Sequence, residues 1–298
     1  MIPLTILRKD LAFNKVMENI IEVLKGVAAT EYFHLQSKRK SFDEFEGRLR
    51  DLFASVDISN FQHPFLGAPP SSSHIVLITS DSGFLGELNM AVVNYGLAQY
   101  RSGNQITVVG KEGVRYIGEQ EIKYISFPGI DDDISYDAVI KLRDHIIKEY
   151  ISKKISNTVI VYPHFVSFAV QKIEQFQLFP CRFLFPQTSG SGALGSHRPG
   201  ILEIDYDEKV ILDSSLKVIV EYLVKIWIGQ LLHLIFWESK LSEWAARVMH
   251  LERSTNEIRD QQKKMRLQYF RTLHERSDKS TREIFVSRMA LKKSGAIA

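Results

Sequence analysis

The chain has 298 residues, 45% of them hydrophobic and 24% charged, the make-up of a soluble protein with one or two packed units. Its formal net charge of +3 is too mild for a nucleic-acid binder, which usually declares itself with a strongly basic face. A single cysteine, Cys181, excludes a disulfide framework and any multi-cysteine metal site.

The N-terminal stretch MIPLTILRKDLAFNKV carries Arg8, Lys9 and Asp10, so it lacks the apolar core of a signal peptide. The first region, residues 1–60, reads as helix from Leu4 to about Val56. Apolar residues at Phe13, Met17, Ile20, Leu24 and Val27 step by four and three, the spacing of a coiled-coil seam. The stripe then drifts through Ala28, Tyr32 and Leu35 to Phe42, Phe45, Leu49 and Leu52. Pro64 and the Pro69-Pro70 pair followed by serines stop it.

The second region, residues 72–200, alternates two periodicities. HIVLITS (His74–Ser80), QITVVG (Gln105–Gly110), KYISF (Lys123–Phe127) and NTVIVYP (Asn157–Pro163) are β-branched runs of strand length, and VQKIEQFQLFP is a further strand candidate. Between them lie helix candidates at Leu88–Arg101, Gly113–Gly118 and Tyr136–Lys153. Strand and helix in turn predict a parallel-sheet α/β domain with Rossmann-like layering. TSGSGALGSHRPG (188–200) closes it as a flexible Gly/Ser loop; a phosphate loop needs a Lys-Ser or Lys-Thr after its glycines, and none follows.

The third region, residues 210–292, reads as one long helix. No proline follows Pro199, and Gly229 is the only glycine between Leu216 and Ala290. The segment Leu216–Trp237 is very apolar, yet Lys217, Glu221, Lys225, Gln230 and His233 leave its uncharged part far short of the ~20 residues that span a bilayer. A buried helix and no direct membrane span are therefore expected. Leu241, Trp244, Val248, Leu251, Thr255, Ile258, Gln262, Met265 and Tyr269 form an unbroken seam. At ~1.5 Å per residue such a helix runs roughly 100 Å and cannot bury its stripe on the α/β domain alone. The fold class expected is thus α/β: an antiparallel coiled coil of the long N- and C-terminal helices, with a Rossmann-like α/β domain inserted between them. The end beyond Arg276 is expected to need a partner.

Three local motifs sit on that layout. Leu24-Lys25-Gly26-Val27-Ala28-Ala29 ends the first seam. Ser80-Asp81-Ser82-Gly83-Phe84-Leu85-Gly86-Glu87-Leu88-Asn89 follows the first strand directly. Ser242-Glu243-Trp244-Ala245-Ala246-Arg247-Val248-Met249 opens the last seam, and Leu267-Gln268-Tyr269 lies further along it. In order, spacing and context they resemble the gamma subunit of F-type ATP synthases over essentially the whole chain. The resemblance is to a divergent member. Leu85 and Glu87 stand where the family has cysteine and glycine, Leu273-His274 where it has Arg-Gln, and Ser277-Asp278-Lys279-Ser280 where it has Ile-Thr-Gln-Glu.

The resemblance implies a central rotor shaft that couples transmembrane ion flow to ATP synthesis or hydrolysis in a ring of alpha and beta subunits. It also implies contact with the epsilon subunit and the membrane c-ring, and a peripheral place on the cytoplasmic face of the inner (plasma) membrane. Carried over residue by residue, it marks Lys25, the turn residues Asp81, Ser82, Gly83 and Glu87, and Gln268 and His274 as contacts to the beta subunit or rotor. Each also has a plain reading: a solvated lysine, a fold-forming turn with Asp81 or Ser82 capping the next helix, an exposed helix face.

Nothing in the sequence points to catalysis or a cofactor. The turn has only G-x-x-G where a dinucleotide loop needs G-x-G-x-x-G. The nine histidines are scattered, with no metal-ligand spacing, and no Ser-His-Asp set presents itself. Glu243 and Arg247 read as an i,i+4 surface pair worth ~0.2–0.5 kcal/mol. The basic C-terminal stretch interleaves with Asp260, Glu275, Asp278 and Glu283, as a solvated helix face does. Two other readings stay open: a gamma-like scaffold or motor-adaptor in a machine that no longer makes ATP, and a Rossmann-type enzyme.

Overall fold

The computed structural model describes residues 3–37, 48–49, 52–53, 62–67, 72–120, 122–152, 155–181, 184 and 215–293. Its element order is α1 (Leu4–Ser37), β1 (Ser73–Ile78), α2 (Leu88–Leu97), β2 (Gln105–Val109), α3 (Lys111–Gly118), β3 (Ile125–Phe127), α4 (Tyr136–Ser152), β4 (Asn157–Ser167), β5 (Val170–Phe179) and α5 (Leu216–Lys293). The Gly/Ser loop at 188–200, and Phe42 and Phe45 of the expected first stripe, lie outside the described residues. The chain packs as two units, residues 1–28 with 248–298, and residues 29–247.

The unit of residues 29–247 is built on a five-stranded sheet of order β3-β2-β1-β4-β5. β1 pairs in parallel with β2 and β4, and β2 in parallel with β3. The last strand departs from the purely parallel expectation: β5 runs antiparallel to β4 as a hairpin. A two-residue turn suffices for such a partner, whereas a parallel one needs a long crossover. Strand β4 also runs on to Ser167, past the expected stop at Pro163.

Alternation along the strands decides what covers each face. Ile75 and Leu77 of β1, Ile106 and Val108 of β2 and Val159 and Val161 of β4 pack against Val92, Val93 and Ile117 of α2 and α3. Val76, Ile78, Val109, Ile160 and Tyr162 face the other way, into a core with Val139, Leu142 and Ile146 of α4 and Val220, Val224, Ile228, Leu232, Ile235 and Phe236 of α5. Covered on both sides, these strands read as continuous apolar runs, as parallel strands do. The first turns of α5 are therefore core. By length and composition α5 also passes as a candidate membrane-crossing helix, but its apolar side is directed into this sheet.

Several polar groups enter this interior, and some are paired with one another. His74 Nε2 lies 2.8 Å from Thr107 Oγ1, which lies 3.4 Å from His145 Nε2. Cys181 donates both its amide, at 2.8 Å, and its thiol, at 3.2 Å, to the Phe65 carbonyl and so ties residues 62–67 to the core. Burial pushes that thiol up to about 12.

Gly110 joins β2 to α3 at φ 101, and a Cβ there would sit 2.4 Å from the Thr79 carbonyl oxygen. A side chain meets both left-handed backbone strain and a backbone clash that no rotamer relieves. Gly110→Ala is expected to destabilise this unit by more than ~1 kcal/mol, read as a lower urea midpoint at unchanged slope.

Candidate functional site

Two regions carry the arrangement relevant to function, one in each unit. The first lies at the carboxyl ends of the parallel strands. The Ser80–Asn89 turn is held there by its own polar groups. The Ser80 amide donates to Asn89 Oδ1 at 3.1 Å, and Asn89 Nδ2 returns a bond to Ser80 Oγ at 2.8 Å. Asp81 Oδ1 accepts from the backbone N–H of Lys111 at 2.8 Å and of Gly129 at 3.1 Å, so it clasps the loops that follow β2 and β3. Gly129 is needed for that approach, because its Cβ would meet Asp81 Oδ1 at 2.4 Å.

The expected helix cap is corrected by this. Neither Asp81 nor Ser82 caps α2; Glu87 holds the N-cap position and makes no side-chain cap bond. Asp81 is drawn away by two amides of other loops, and Ser82 contributes only its carbonyl, to Ser80 Oγ at 2.8 Å. Ser82, Gly83 and Glu87 are exposed, and a Cβ on Gly83 would meet nothing within 4 Å. Phe84 sits in the left-handed region at φ 62 with its ring exposed, a strained position for a bulky residue.

Sheets of this order bind ligands outside the strand ends where the order reverses, here between β1 and β4. In this chain α5 bonds to the end part of β4 and to the loop after β3. Ser242 Oγ donates to the Pro163 carbonyl at 3.1 Å, His164 Nδ1 meets Glu238 at 2.8 Å, and Trp237 Nε1 donates to the Leu35 carbonyl at 3.1 Å. Lys240 Nζ reaches Asp132, in the loop after β3, at 3.0 Å. Among the described residues no group of three or more His, Cys, Asp or Glu is placed to hold a metal ion.

The same turn holds a buried charge cluster. Glu243 accepts from Lys240 at 3.1 Å and from Arg247 at 2.7 Å. The guanidinium carbon of Arg247 lies 4.1 Å from the Trp244 ring centroid and Lys240 Nζ lies 5.7 Å from it. The plain surface reading of Glu243 and Arg247 is thereby overturned: the Glu243 side chain is only 6% exposed and Arg247 only 11%. Packing of α5 on the sheet removed this pair from water, which helix spacing alone does not reveal.

The second region is the helix pair in the unit of residues 1–28 and 248–298. On α5, Val248, Leu251, Thr255, Ile258, Gln262, Met265 and Tyr269 are buried or half-buried, the seam read from the sequence. On α1 the seam is not the expected one. Of the expected seam Phe13, Ile20, Leu24 and Val27 are exposed while Met17 is half-buried, and the other covered positions include Leu7, Leu11, Asn14, Glu18, Ile21, Lys25 and Ala28, the last as expected. The spacing is right and the phase is one residue off. The cause is chemical: charged and amide groups occupy the partner-facing positions, so the most apolar stripe is not the paired one.

The contacts run in opposite directions along the two helices. Asn14 Nδ2 meets Met265 Sδ at 3.6 Å, Arg259 Nε donates to Glu18 Oε1 at 2.9 Å, and Lys25 Nζ donates to Glu252 Oε2 at 2.7 Å. Glu18 also accepts from Gln262 Nε2 at 3.2 Å and Lys15 Nζ at 3.0 Å. Arg259 reaches on to Glu22 at 2.9 Å, and Glu22 to Lys25 at 2.9 Å. Charges of alternating sign thus run Lys15, Glu18, Arg259, Glu22, Lys25, Glu252. Arg259, then Lys15 and Gln262, hold the Glu18 carboxyl down to about 2. Glu252 and Glu22 raise the Lys25 ammonium above its ordinary value.

The face of α1 turned away from this seam is apolar and uncovered. Ile6, Phe13, Val16, Ile20, Val23 and Val27 follow steps of seven, three and four, and Phe13 and Val23 are 63% and 67% exposed. Beyond Thr272 the described side chains of α5 are exposed, among them Leu273, Ile284, Phe285, Val286 and Met289. Of the residues marked from the sequence, Lys25 is spent on internal ion pairs and Asp81 on its loop clasp. Gln268 and His274 lie exposed on α5.

A family model described as ATP synthase matches residues 4–285. The chain belongs to the ATP synthase family. Within it the chain aligns with gamma chains: 25% identity over 285 residues with the ATP synthase gamma chain of Halothermothrix orenii, covering 93% of this chain and 95% of the relative. The gamma chain of Chlorobaculum tepidum is 21% identical over 292 residues, covering 93% and 95%. In fold, the chain resembles one in the cryo-EM structure of the Euglena gracilis mitochondrial ATP synthase OSCP/F1/c-ring, with a TM-score of 0.69 at 17% identity over 99% of this chain and 96% of that one. A second likeness is to a chain of the Tetrahymena thermophila central stalk/c-ring, with a TM-score of 0.57 at 15% identity over 79% of this chain and 99% of that one.

Burial separates the two acidic partners of Lys240. Glu243→Ala strands two buried cations and is expected to destabilise the α/β unit by about 3–5 kcal/mol. Asp132, 64% exposed, pairs across water, and Asp132→Ala is expected to cost ~0–1 kcal/mol. Denaturant unfolding of the two variants side by side gives the comparison.

Proposed function

We infer that this chain is the central rotor shaft, the gamma subunit, of an F-type ATP synthase. In that reading it couples ion flow across a membrane to ATP synthesis or hydrolysis in a ring of alpha and beta subunits. The observation that carries it is the helix pair of the 1–28 and 248–298 unit. Its seam is filled by ion pairs, and its apolar heptad stripe is left for a partner to cover. Gamma-chain relatives along nearly the whole sequence support the same reading.

In this reading the nucleotide chemistry belongs to the ring subunits. Its work is to bias partners. One side of the pair presents β-branched apolar residues of α1, and α5 presents Arg266, Arg271 and Lys263 to solvent. A ring subunit facing one side or the other meets different contacts, and only such a difference can shift it between states. The clasps around Trp237–Ser242 tie the first half of α5 to the α/β unit.

The same reading assigns the c-ring and the epsilon subunit as partners of the α/β unit, and a peripheral place on the cytoplasmic face of the membrane. Ser82, Gly83, Glu87, Gln268 and His274 remain contact candidates because they are exposed. Lys25 and Asp81 act by shaping the surfaces beside them.

Replacing Phe13, Val16 and Ile20 together by serine is expected to leave the helix content and unfolding midpoint of the isolated chain unchanged, because these side chains already face water. Co-expression with the cognate alpha and beta subunits should then fail to yield the complex that the native chain forms. Normal assembly and ATP turnover by the triple variant would count against the stripe as the ring-facing surface.

A further inference from the structure

We propose that the ion-pair chain along the α1–α5 seam is a register lock, with Glu18 and Arg259 as its positioning residues. Its role in load transmission rests on the shaft reading above; its existence does not.

A seam of two helices filled with leucine and valine has a weakness. Sliding one helix by seven residues puts apolar groups opposite apolar groups again, at little loss. For a chain twisted against resistance, that slip is the natural failure. Here the interior of the seam carries Asn14, Glu18 and Lys25 on α1 and Thr255 and Gln262 on α5. Such groups contribute little to net stability, since well-packed apolar residues often do as well or better. What they contribute is a penalty on wrong pairings.

The sequence makes the penalty act in both directions. Glu18 pairs with Arg259 and Lys25 with Glu252. Slide α1 one heptad toward lower numbers on α5, and Glu18 comes opposite Glu252 while Lys25 faces Ala245. Slide it the other way, and Lys25 comes opposite Arg259 and Glu252 loses its cation, although Glu18 then meets Arg266. Each slip sets like charges together and leaves a native partner unmatched. The lock also fixes which way α1 turns its outward apolar stripe, because rotation of α1 about its axis would break the same pairs.

Disulfide trapping in the full chain reads the register directly. The only native thiol, Cys181, is buried and raised to about 12, so it stays out of the reaction. Asn14→Cys with Met265→Cys reports the native register, since those side chains touch. Asn14→Cys with Ile258→Cys reports the slipped one. In the otherwise native chain the first pair is expected to dominate under mild oxidation. Glu18→Lys repels Arg259 and, in the slipped register, faces Glu252, so it should shift the yield from the first pair to the second. Adding Arg259→Glu should restore the first pair.

An unchanged ratio in the single reversal overturns the lock. So does failure of the double reversal to restore the native product. The cross-link needs no partner subunit, so its failure speaks to the lock alone, whereas failure to assemble with alpha and beta speaks to the shaft reading.

Discussion

The carboxylate of Glu18, held between Arg259 and Gln262 across the seam, is the constraint on which the helix pair depends. It sits where a coiled coil would ordinarily place leucine, and it stays ionised because its partners hold it down to about 2. A buried ionised carboxylate tolerates one arrangement of neighbours and few others. Everything on the outward side of α1 follows from that choice. Once charge occupies the paired face, the apolar residues at Phe13, Val16, Ile20, Val23 and Val27 are left uncovered and available to another protein.

The α/β unit solves a different problem with similar means. Its sheet order is one that binds ligands at the strand ends in other proteins, but the turn after β1 lacks the glycine pattern of a dinucleotide loop. The helix α5 is fixed to β4 by Ser242 and Glu238, to the loop after β3 by Lys240 and to Leu35 by Trp237. Together these contacts form a socket for the helix. The Lys240, Glu243 and Arg247 charges around Trp244 make that socket specific, at the expense of three ions taken out of water.

Much of this was legible in the residues. The strands declared themselves as β-branched runs because both faces of the sheet are covered, and α5 declared its seam because only Thr255 and Gln262 interrupt it. The helix candidates of the α/β unit fell close to where α2, α3 and α4 lie. The first seam was not legible in phase. Periodicity finds the most apolar stripe, and on α1 that stripe is the exposed one; the paired stripe is disguised by Asn14, Glu18 and Lys25. The opposite charges at matching distance on α5, Glu252 and Arg259, were the signal that could have found it. Asp81 as a loop clasp, Phe84 at φ 62 and the burial of Glu243 depend on contacts between distant segments, and no local pattern encodes them. The antiparallel β5 was readable as a strand but not in direction.

Rotation is the property that decides whether this chain is the shaft. With the cognate alpha and beta ring fixed to a surface, a fluorescent rod is attached through a cysteine placed at the exposed Lys172 on the β4–β5 hairpin. On addition of ATP the rod is predicted to turn in one direction, step by step, and to stop when ATP is removed. ATP hydrolysis by the assembled ring with the rod at rest, or swinging without direction, would contradict the claim that this chain is the shaft.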